Sequence, residues 1–439
     1  MLLLLSLAFA QDAAQTHYEA GVAALKSKDA ETAASRLEAC VEAAPERIDC
    51  RWELGWAYWL ESDWQGVVTQ WEEVKRLDPG HGVVDRHLPT ARGNLKVQQM
   101  VAASAAEAPA TLQREIPEGT TLRLRAVGDV MLGTDFPKGY LPPNDGADLL
   151  EAVGPMLQDA DLTFINLEGP LCDGGRTNKC GEGGNCYAFR SPTRYGDYLS
   201  AVGVDLASTA NNHAHDFGES CRLETEQTLD NLGIAYSGRP GTLASVEQNG
   251  LRVAMIGFHT SSSGHNLNEL ETAVALVQAV DRDHDIVIVS FHGGAEGSKA
   301  LHVPHGSETF YGENRGNLRE FTHAVVDAGA DLVFGHGPHV PRAIEVYEDR
   351  LIAYSLGNFA TYGRFNLSGY LGVGLVLDVT VDGKGRFVAG QILPTKQVGQ
   401  GVPEPDPEGQ AIDLIRKLSA EDFPTTGVQV AQDGSIGPR

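Results

Sequence analysis

Residues 122–132 read LRLRAVGDVML, an apolar run of strand-forming residues that passes through Gly128 and stops on an acid, Asp129. The same grammar recurs downstream in DLTFINLE (161–168), DLASTANN (205–212), RVAMIGF (252–258), DIVIVSFH (285–292) and DLVFGH (331–336). Amphipathic stretches near 147–159, 193–202, 220–232, 270–281 and 317–328 separate these runs and have helical periodicity. Short strands alternating with helices call for an α/β sheet covered by helices on both faces. The end of this region changes to paired strands, AIEVYEDRLIAYSLGNF (343–359) and GVGLVLDVTVDGKGRFVAGQILP (372–394), with hairpin turns expected at Asp349-Arg350 and Asp382-Gly383.

Five of the runs end in residues able to bind a metal or move a proton. They are Asp129 (GDVMLG), Asn166 and Glu168 (NLEGPL), Asn211, Asn212 and His213 (NNHAHDFG), His292 (FHGGAE), and His336 and His339 (GHGPH). Open α/β sheets bind ligands beyond the carboxyl ends of their strands, so these side chains should meet in one crevice. A lone histidine at a strand end serves as well as a hydrogen-bonded structural residue; the ordered set is what points to a shared site. Carboxylate, amide oxygen and imidazole together suit one or two divalent ions such as manganese, iron or zinc.

The five motifs, with the last extended as GHGPHVPRAIEVYEDRLIAYSLGNF (335–359), resemble the successive motifs of the CapA family of poly-gamma-glutamate capsule proteins. The resemblance covers nearly the whole of residues 122–398 and implies a calcineurin-like metallophosphoesterase sandwich, mixed sheets flanked by helices. It also implies Asp129, Glu168, Asn212, His292, His336 and His339 as metal ligands. His213 would then be the proton donor to a leaving group, with Asp216 orienting its ring and raising its pKa. Glu296, Asn358 and Arg342 are candidate substrate contacts; for Arg342 the alternative is a simple pair with Glu345. The sequence departs from the pattern at three places. Met131 stands where phosphoesterases carry a histidine two residues after the first aspartate, two residues separate His336 from His339 in place of H-x-H, and Gly293 replaces an aromatic. His302 and His305 face substrate or belong to an ordinary loop. His259 shows no site spacing.

Ahead of this domain, YEAGVAALKSKDAETAASRLEACVEAAP (18–45) and CRWELGWAYWLESDWQGVVTQWEEVKRLDP (50–79) align with a period near 34, Gly21 with Gly55, Ala34 with Val68 and Pro45 with Pro79. Residues 15–101 therefore resemble a small all-α tetratricopeptide-like domain, suited to a protein partner. Its five tryptophans, at 52, 56, 59, 64 and 71, read as core. Residues 1–10 read as a signal peptide ending in Ala8-Phe9-Ala10, residues 102–121 as an Ala-, Glu- and Pro-rich linker, and 399–439 as a C-terminal extension with one helix. No stretch is long enough to span a membrane in the mature chain.

The chain has 34 Lys and Arg against 59 Asp and Glu, which excludes nucleic-acid binding by bulk charge. An anionic polymer or phosphoester must then be held by cations or by a local cluster such as Arg315, Arg319 and Arg342. Six cysteines suit an oxidising compartment, hence export to the periplasm or cell surface. Cys40 and Cys50 make one local pair, and Cys172, Cys180, Cys186 and Cys221 form either disulfides or a structural zinc site. Two functions fit: a metal-dependent hydrolase of phosphoester or amide bonds in capsule or cell-envelope polymer metabolism, and a non-catalytic assembly or export factor that binds an anionic polymer and partner proteins.

Overall fold

The computed structural model describes residues 2–106, 115–177, 179 and 187–438, excepting the side chains of 2–11 and 106. It divides into two compact units, Met1–Ala102 and Ala103–Arg439. Cys180, Cys186 and residues 107–114 of the expected linker lie outside the described residues.

The first unit is helical: α1 (Leu2–Lys26), α2 (Ala30–Ala43), α3 (Ile48–Leu60), α4 (Trp64–Leu77) and α5 (Val84–Ala106). Its geometry repeats every 34 residues. Asp29 caps α2 through Thr32 N, and Asp63 caps α4 through Gly66 N. Lys28 and Ser62, one residue earlier, both take positive φ, 59° and 58°. Gly21 lies against Leu37 and Gly55 against Trp71, again 34 apart, so closely that a β-carbon would collide. Trp71 is fully buried, stacks on Trp52 at 5.1 Å and donates its indole N–H to Trp52 O at 3.2 Å, so it is core. A Cys40–Cys50 disulfide ties α2 to α3.

In the second unit, β1 (Thr121–Met131), α6 (Gly154–Gln158), β2 (Leu162–Leu167), α7 (Gly196–Ala201), β3 (Leu206–Ser208), α8 (Gly218–Leu232) and β4 (Ala235–Ser237) lead into β5 (Ala244–Gln248), β6 (Leu251–His259) and β7 (His265–Asn266). Next come α9 (Leu270–Asp281), β8 (Ile286–His292), β9 (Glu308–Phe310), β10 (Glu313–Gly316), α10 (Leu318–Asp327) and β11 (Leu332–His336). The chain ends with β12 (Ile344–Tyr347), β13 (Arg350–Ala353), β14 (Asn358–Thr361), β15 (Val373–Asp382), β16 (Phe387–Val398), β17 (Val402–Pro405), α11 (Gln410–Asp422), β18 (Gln429–Val430) and β19 (Ser435–Gly437).

Two mixed sheets result. One runs β18-β19-β16-β15-β1-β2-β3-β4, with β14 beside β1 and β17 beside β16; the other runs β12-β13-β11-β8-β6-β5, with β7 beside β6. β1 to β4 are mutually parallel, as are β6, β8, β11 and β13. Strands covered on both faces are apolar throughout, which is why IVIVSF in β8 shows no alternation. The inner faces share one core, where Phe164 of β2 stacks on Phe334 of β11 at 5.4 Å. Leu157, Leu199 and Leu229 of α6, α7 and α8 cover the outer face of the first sheet. Phe321 of α10 packs edge-on against Phe258 and Phe291 on the second. The architecture is the helix-flanked mixed-sheet sandwich anticipated from the sequence.

Two details differ from the sequence reading. The β12–β13 turn is Glu348-Asp349, both at positive φ, because Tyr347 pairs directly with Arg350. Residues 399–439 do contain one helix, but Ala411, Ile412 and Ile415 of α11 belong to the inter-sheet core and β19 pairs with β16, so the segment is integral to the sandwich. No helix among the described residues is long and apolar enough to cross a membrane.

Candidate functional site

The parallel register brings the strand ends to one level. Asp129 stands opposite Asn166 on one side and Asn358 on the other, while His259, His292 and His336 form a row across β6, β8 and β11. Gly128 makes the Asp129 position possible: a side chain there would strike the carbonyl of Gly357, which accepts the Asp129 N–H at 2.9 Å. Gly337, at φ 113°, turns the chain sharply after β11, and His339 follows in the left-handed region at φ 61°. A non-glycine residue held there stores about 1–2 kcal/mol, the kind of strain that collects at functional sites.

The turn delivers His339 to Asp129, with Nδ1 2.9 Å from Oδ2 and 3.1 Å from Asn358 Oδ1. His336 Nδ1 lies 3.3 Å from Asp129 Oδ1, which also accepts from Asn166 Nδ2 at 2.8 Å. His292 Nε2 is 3.5 Å and His339 Nε2 3.8 Å from Glu168 Oε1. Donor atoms of Asp129, Glu168 and His292 all fall within 4.8 Å of one another. Asn211 donates to Asn166 Oδ1 and Leu167 O and accepts from His213 N, fixing the loop that carries Asn212 and His213.

Asp129, Glu168, His292 and His336 are fully buried, yet both Glu168 oxygens, Asn212 Oδ1, and both ring nitrogens of His292 and His336 lack a hydrogen-bond partner. Each such atom costs about 1–3 kcal/mol unless something else satisfies it. Carboxylate oxygens, an amide oxygen and one basic nitrogen per neutral imidazole, left without partners at one point, are a set that could hold a cation.

Electrostatics agree. Burial opposes ionisation of Asp129, but the adjacent His336 and His339 rings outweigh it and hold the carboxyl well below its usual range. Burial and the Asp129 charge push Glu168 well above its own. His292 is kept neutral by burial and by Arg315, the form a metal requires. His339 goes the other way: burial works against its charge, but Glu168 and the bond to Asp129 raise it to about 10. His213 Nδ1 is 2.7 Å from Asp216 Oδ2, and Asp216 also takes Phe189 N and Lys179 Nζ, each at 2.8 Å. The orienting role read from sequence for Asp216 has its geometry here, but the expected rise in the His213 pKa does not follow. Burial lowers it by more than Asp216 raises it.

A cavity of about 670 Å³ opens over this level, lined among others by Asn212, His213, Glu296, Arg315, His339 and Asn358. Glu296 Oε1 lies 3.1 Å from Arg315 Nη2, off the hydrogen-bond line, and Asn358 Nδ2 donates to Leu371 O. Arg342 is not in the cavity. It is wholly buried, gripping Glu308 through two 2.8 Å bonds and donating to Ala300 O and Ala295 O, so its guanidinium is committed to the interior and away from an anionic substrate. Neither is it paired with Glu345, which binds His323, Tyr354 and Thr426. Arg319 donates through Nε and Nη2 to Val303 O and Asp422 O; of the three arginines only Arg315 reaches the cavity. His302 is bonded to Asp422 at 2.7 Å and braces α11. Neither it nor His305 lines the cavity. Met131 is buried and its sulfur accepts from Gly133 N.

Two residues escaped the sequence reading. Lys179 lines the cavity, 2.8 Å from Asp216, in a loop without periodicity. His259 stands at the end of β6 beside His292, and the available signal was its place immediately after an apolar strand, as with His292 and His336. A Cys172–Cys221 disulfide links the segment after β2 to α8, so these two sulfurs are not thiolate ligands of a zinc site.

Comparison with known proteins bears on the same segment. Residues 123–362 match the family described as bacterial capsule synthesis protein PGA_cap. The chain is 27% identical over 252 residues to the PGA biosynthesis protein CapA of Bacillus subtilis (strain 168), covering 53% of this chain and 61% of that one. It is 26% identical over 265 residues to the capsule biosynthesis protein CapA of Bacillus anthracis, covering 55% and 60%. A probable polyglutamine synthesis accessory protein of Mycobacterium tuberculosis (strain ATCC 25618 / H37Rv) is 26% identical over 280 residues, 54% of this chain and 66% of that one. The chain thus spans about 60% of the length of the first two relatives. A 5'-nucleotidase precursor from Thermus thermophilus superposes with a TM-score of 0.37 at 13% identity, over 70% of this chain and 59% of that one, too loosely to carry an argument. Because the matched segment is more than half of the 439 residues and contains every strand-end donor described above, the chain belongs to the bacterial capsule synthesis protein PGA_cap family.

Proposed function

We propose that this chain is an exported metal-dependent hydrolase of poly-gamma-glutamate or related capsule and cell-envelope polymer metabolism, cleaving a phosphoester or amide bond. The observation that carries the reading is the set of buried, unpartnered carboxylate, amide and imidazole atoms at the strand ends. Their chemistry fits one or two ions of manganese, iron or zinc, held by Asp129, Glu168, Asn212, His292, His336 and His339. Such ions supply Lewis acidity, polarising a substrate oxygen and acidifying a water.

The chain's own groups complete the chemistry. His213, with Nδ1–H assigned to the Asp216 carboxylate, keeps Nε2 free to carry a proton to or from the reacting atom. Asn358 anchors His339 and closes the cavity wall. Glu296 and Arg315 offer an acceptor and a donor to a bound substrate. The Cys40–Cys50 and Cys172–Cys221 disulfides and the apolar N-terminal residues favour the periplasm or cell surface, and the 34-residue helical repeat, read as tetratricopeptide-like, favours a protein partner.

A second reading, a non-catalytic assembly or export factor that uses the same cations to hold an anionic polymer, is favoured by Met131 in place of a ligand histidine. It is favoured too by the relatives' names, which speak of biosynthesis. Metal analysis of the purified protein, with assays on an aryl phosphate and on a gamma-glutamyl polymer, separates the two. Turnover that needs metal supports the hydrolase, metal with polymer binding but no turnover supports the assembly factor, and metal-free protein inert in both assays defeats the first reading.

A further inference from the structure

We propose that His259, through Nε2, is an additional nitrogen ligand of the cation held beside His292. The inference rests on the metal reading above and extends it to a residue outside its ligand set. β6 and β8 run parallel with His259 directly opposite His292, and β8 and β11 with His292 opposite His336, so three imidazoles leave adjacent strands at one level. The His259 and His292 ring centroids are 5.8 Å apart. Two imidazoles on one ion, each with a metal–nitrogen bond of about 2.0–2.1 Å, place their centroids roughly 5 Å apart, within about 1 Å of the separation seen here.

His259 is 5% exposed, and its Nε2 has no hydrogen-bond partner, as is also true of both His292 nitrogens and Asn212 Oδ1. A buried imidazole nitrogen left unsatisfied in a structural role is costly; beside other orphaned polar atoms it is suited to a metal bond. The other ring nitrogen is provided for. Nδ1 lies 3.0 Å from Ser261 Oγ, itself 2.8 Å from Ser263 Oγ, the outer-sphere contact that fixes the ring of a ligating histidine. The first strand, by contrast, offers Met131 where an imidazole would extend its own side of the site. The nitrogen ligands are therefore concentrated on the second sheet, and one ion of the site is nitrogen-rich.

The test uses the full chain, stripped of metal and titrated with cobalt(II) alone, reading stoichiometry and affinity by calorimetry and coordination by visible absorption. His259→Gln should weaken cobalt binding about tenfold or more and change the absorption bands. Ser261→Ala should cause a smaller loss of affinity. Melting of the metal-free His259→Gln protein should stay near the wild-type value, which separates loss of a ligand from loss of the fold. A His259→Gln protein that binds cobalt with wild-type affinity and spectrum overturns the assignment while leaving the metal site standing. Wild-type protein that takes up no cobalt overturns the metal reading and this assignment together.

Discussion

Replacing Glu168 with Gln should change stability in opposite directions with and without metal. In metal-free protein Glu168 is fully buried, both its oxygens lack partners, and burial together with Asp129 pushes its carboxyl well above the ordinary range. An unsatisfied buried polar group costs about 1–3 kcal/mol, and a neutral amide escapes the ionic part of that cost. The metal-free Glu168→Gln protein should therefore be more stable by about 1–3 kcal/mol, a rise in melting temperature of roughly 2–6 °C for a unit this large. The pH dependence has a fixed sign. A carboxyl raised in the folded state stabilises fully below its unfolded value, about 4.3, and loses that contribution as pH rises through the folded value. The variant's advantage should thus be small near pH 4 and widen toward pH 8. With manganese at a thousand times its dissociation constant, wild type gains about 4.1 kcal/mol that the variant largely forgoes, and the order of melting temperatures reverses. Differential scanning calorimetry with and without chelator reads both. A variant less stable than wild type in chelator, or no reversal with any of manganese, iron or zinc, would refute this account of Glu168.

His213→Ala should keep its metal content and lose about a hundredfold to ten-thousandfold in turnover, measured by elemental analysis beside steady-state kinetics. Because His339 keeps its proton to about pH 10 in the metal-free chain, metal binding at neutral pH should expel at least one proton if its Nε2 ligates. Affinity should then tighten with rising pH and level off near 10, with proton release read by calorimetry in two buffers of different ionisation enthalpy. Arg342→Ala strands Glu308 in the interior and should cost about 3–5 kcal/mol in urea unfolding. Arg315→Ala, at the cavity wall, should act chiefly on KM.

The strand ends were legible because sheet topology converts a repeated local pattern, apolar run then polar residue, into a common level in space. Asp129, Glu168, Asn212, His292, His336 and His339 could be singled out on that ground and on resemblance to known motifs. His259 satisfies the same rule but sits in no motif; its neighbourhood with His292 is made by inter-strand register, which spacing along the chain does not encode. Arg342 precedes β12 and Arg315 lies on β10, and only the path of residues 295–316 decides that the first is swallowed by Glu308 and the second faces the cavity. The direction of the His213 shift depends on depth of burial against one carboxylate, a balance of magnitudes hidden from a list of residues. The fate of Cys172 was similar: four cysteines admitted several pairings, and only folding brings it to Cys221.

The most direct measurement is anomalous diffraction, at the manganese, iron and zinc edges, from crystals of the full chain soaked in each metal. The expected result is a strong peak within bonding distance of Glu168, Asn212, His292 and His336 that vanishes in Asp129→Ala and His336→Ala crystals. Soaked crystals without a peak there, or with peaks at the surface only, would contradict a cation site at the strand ends.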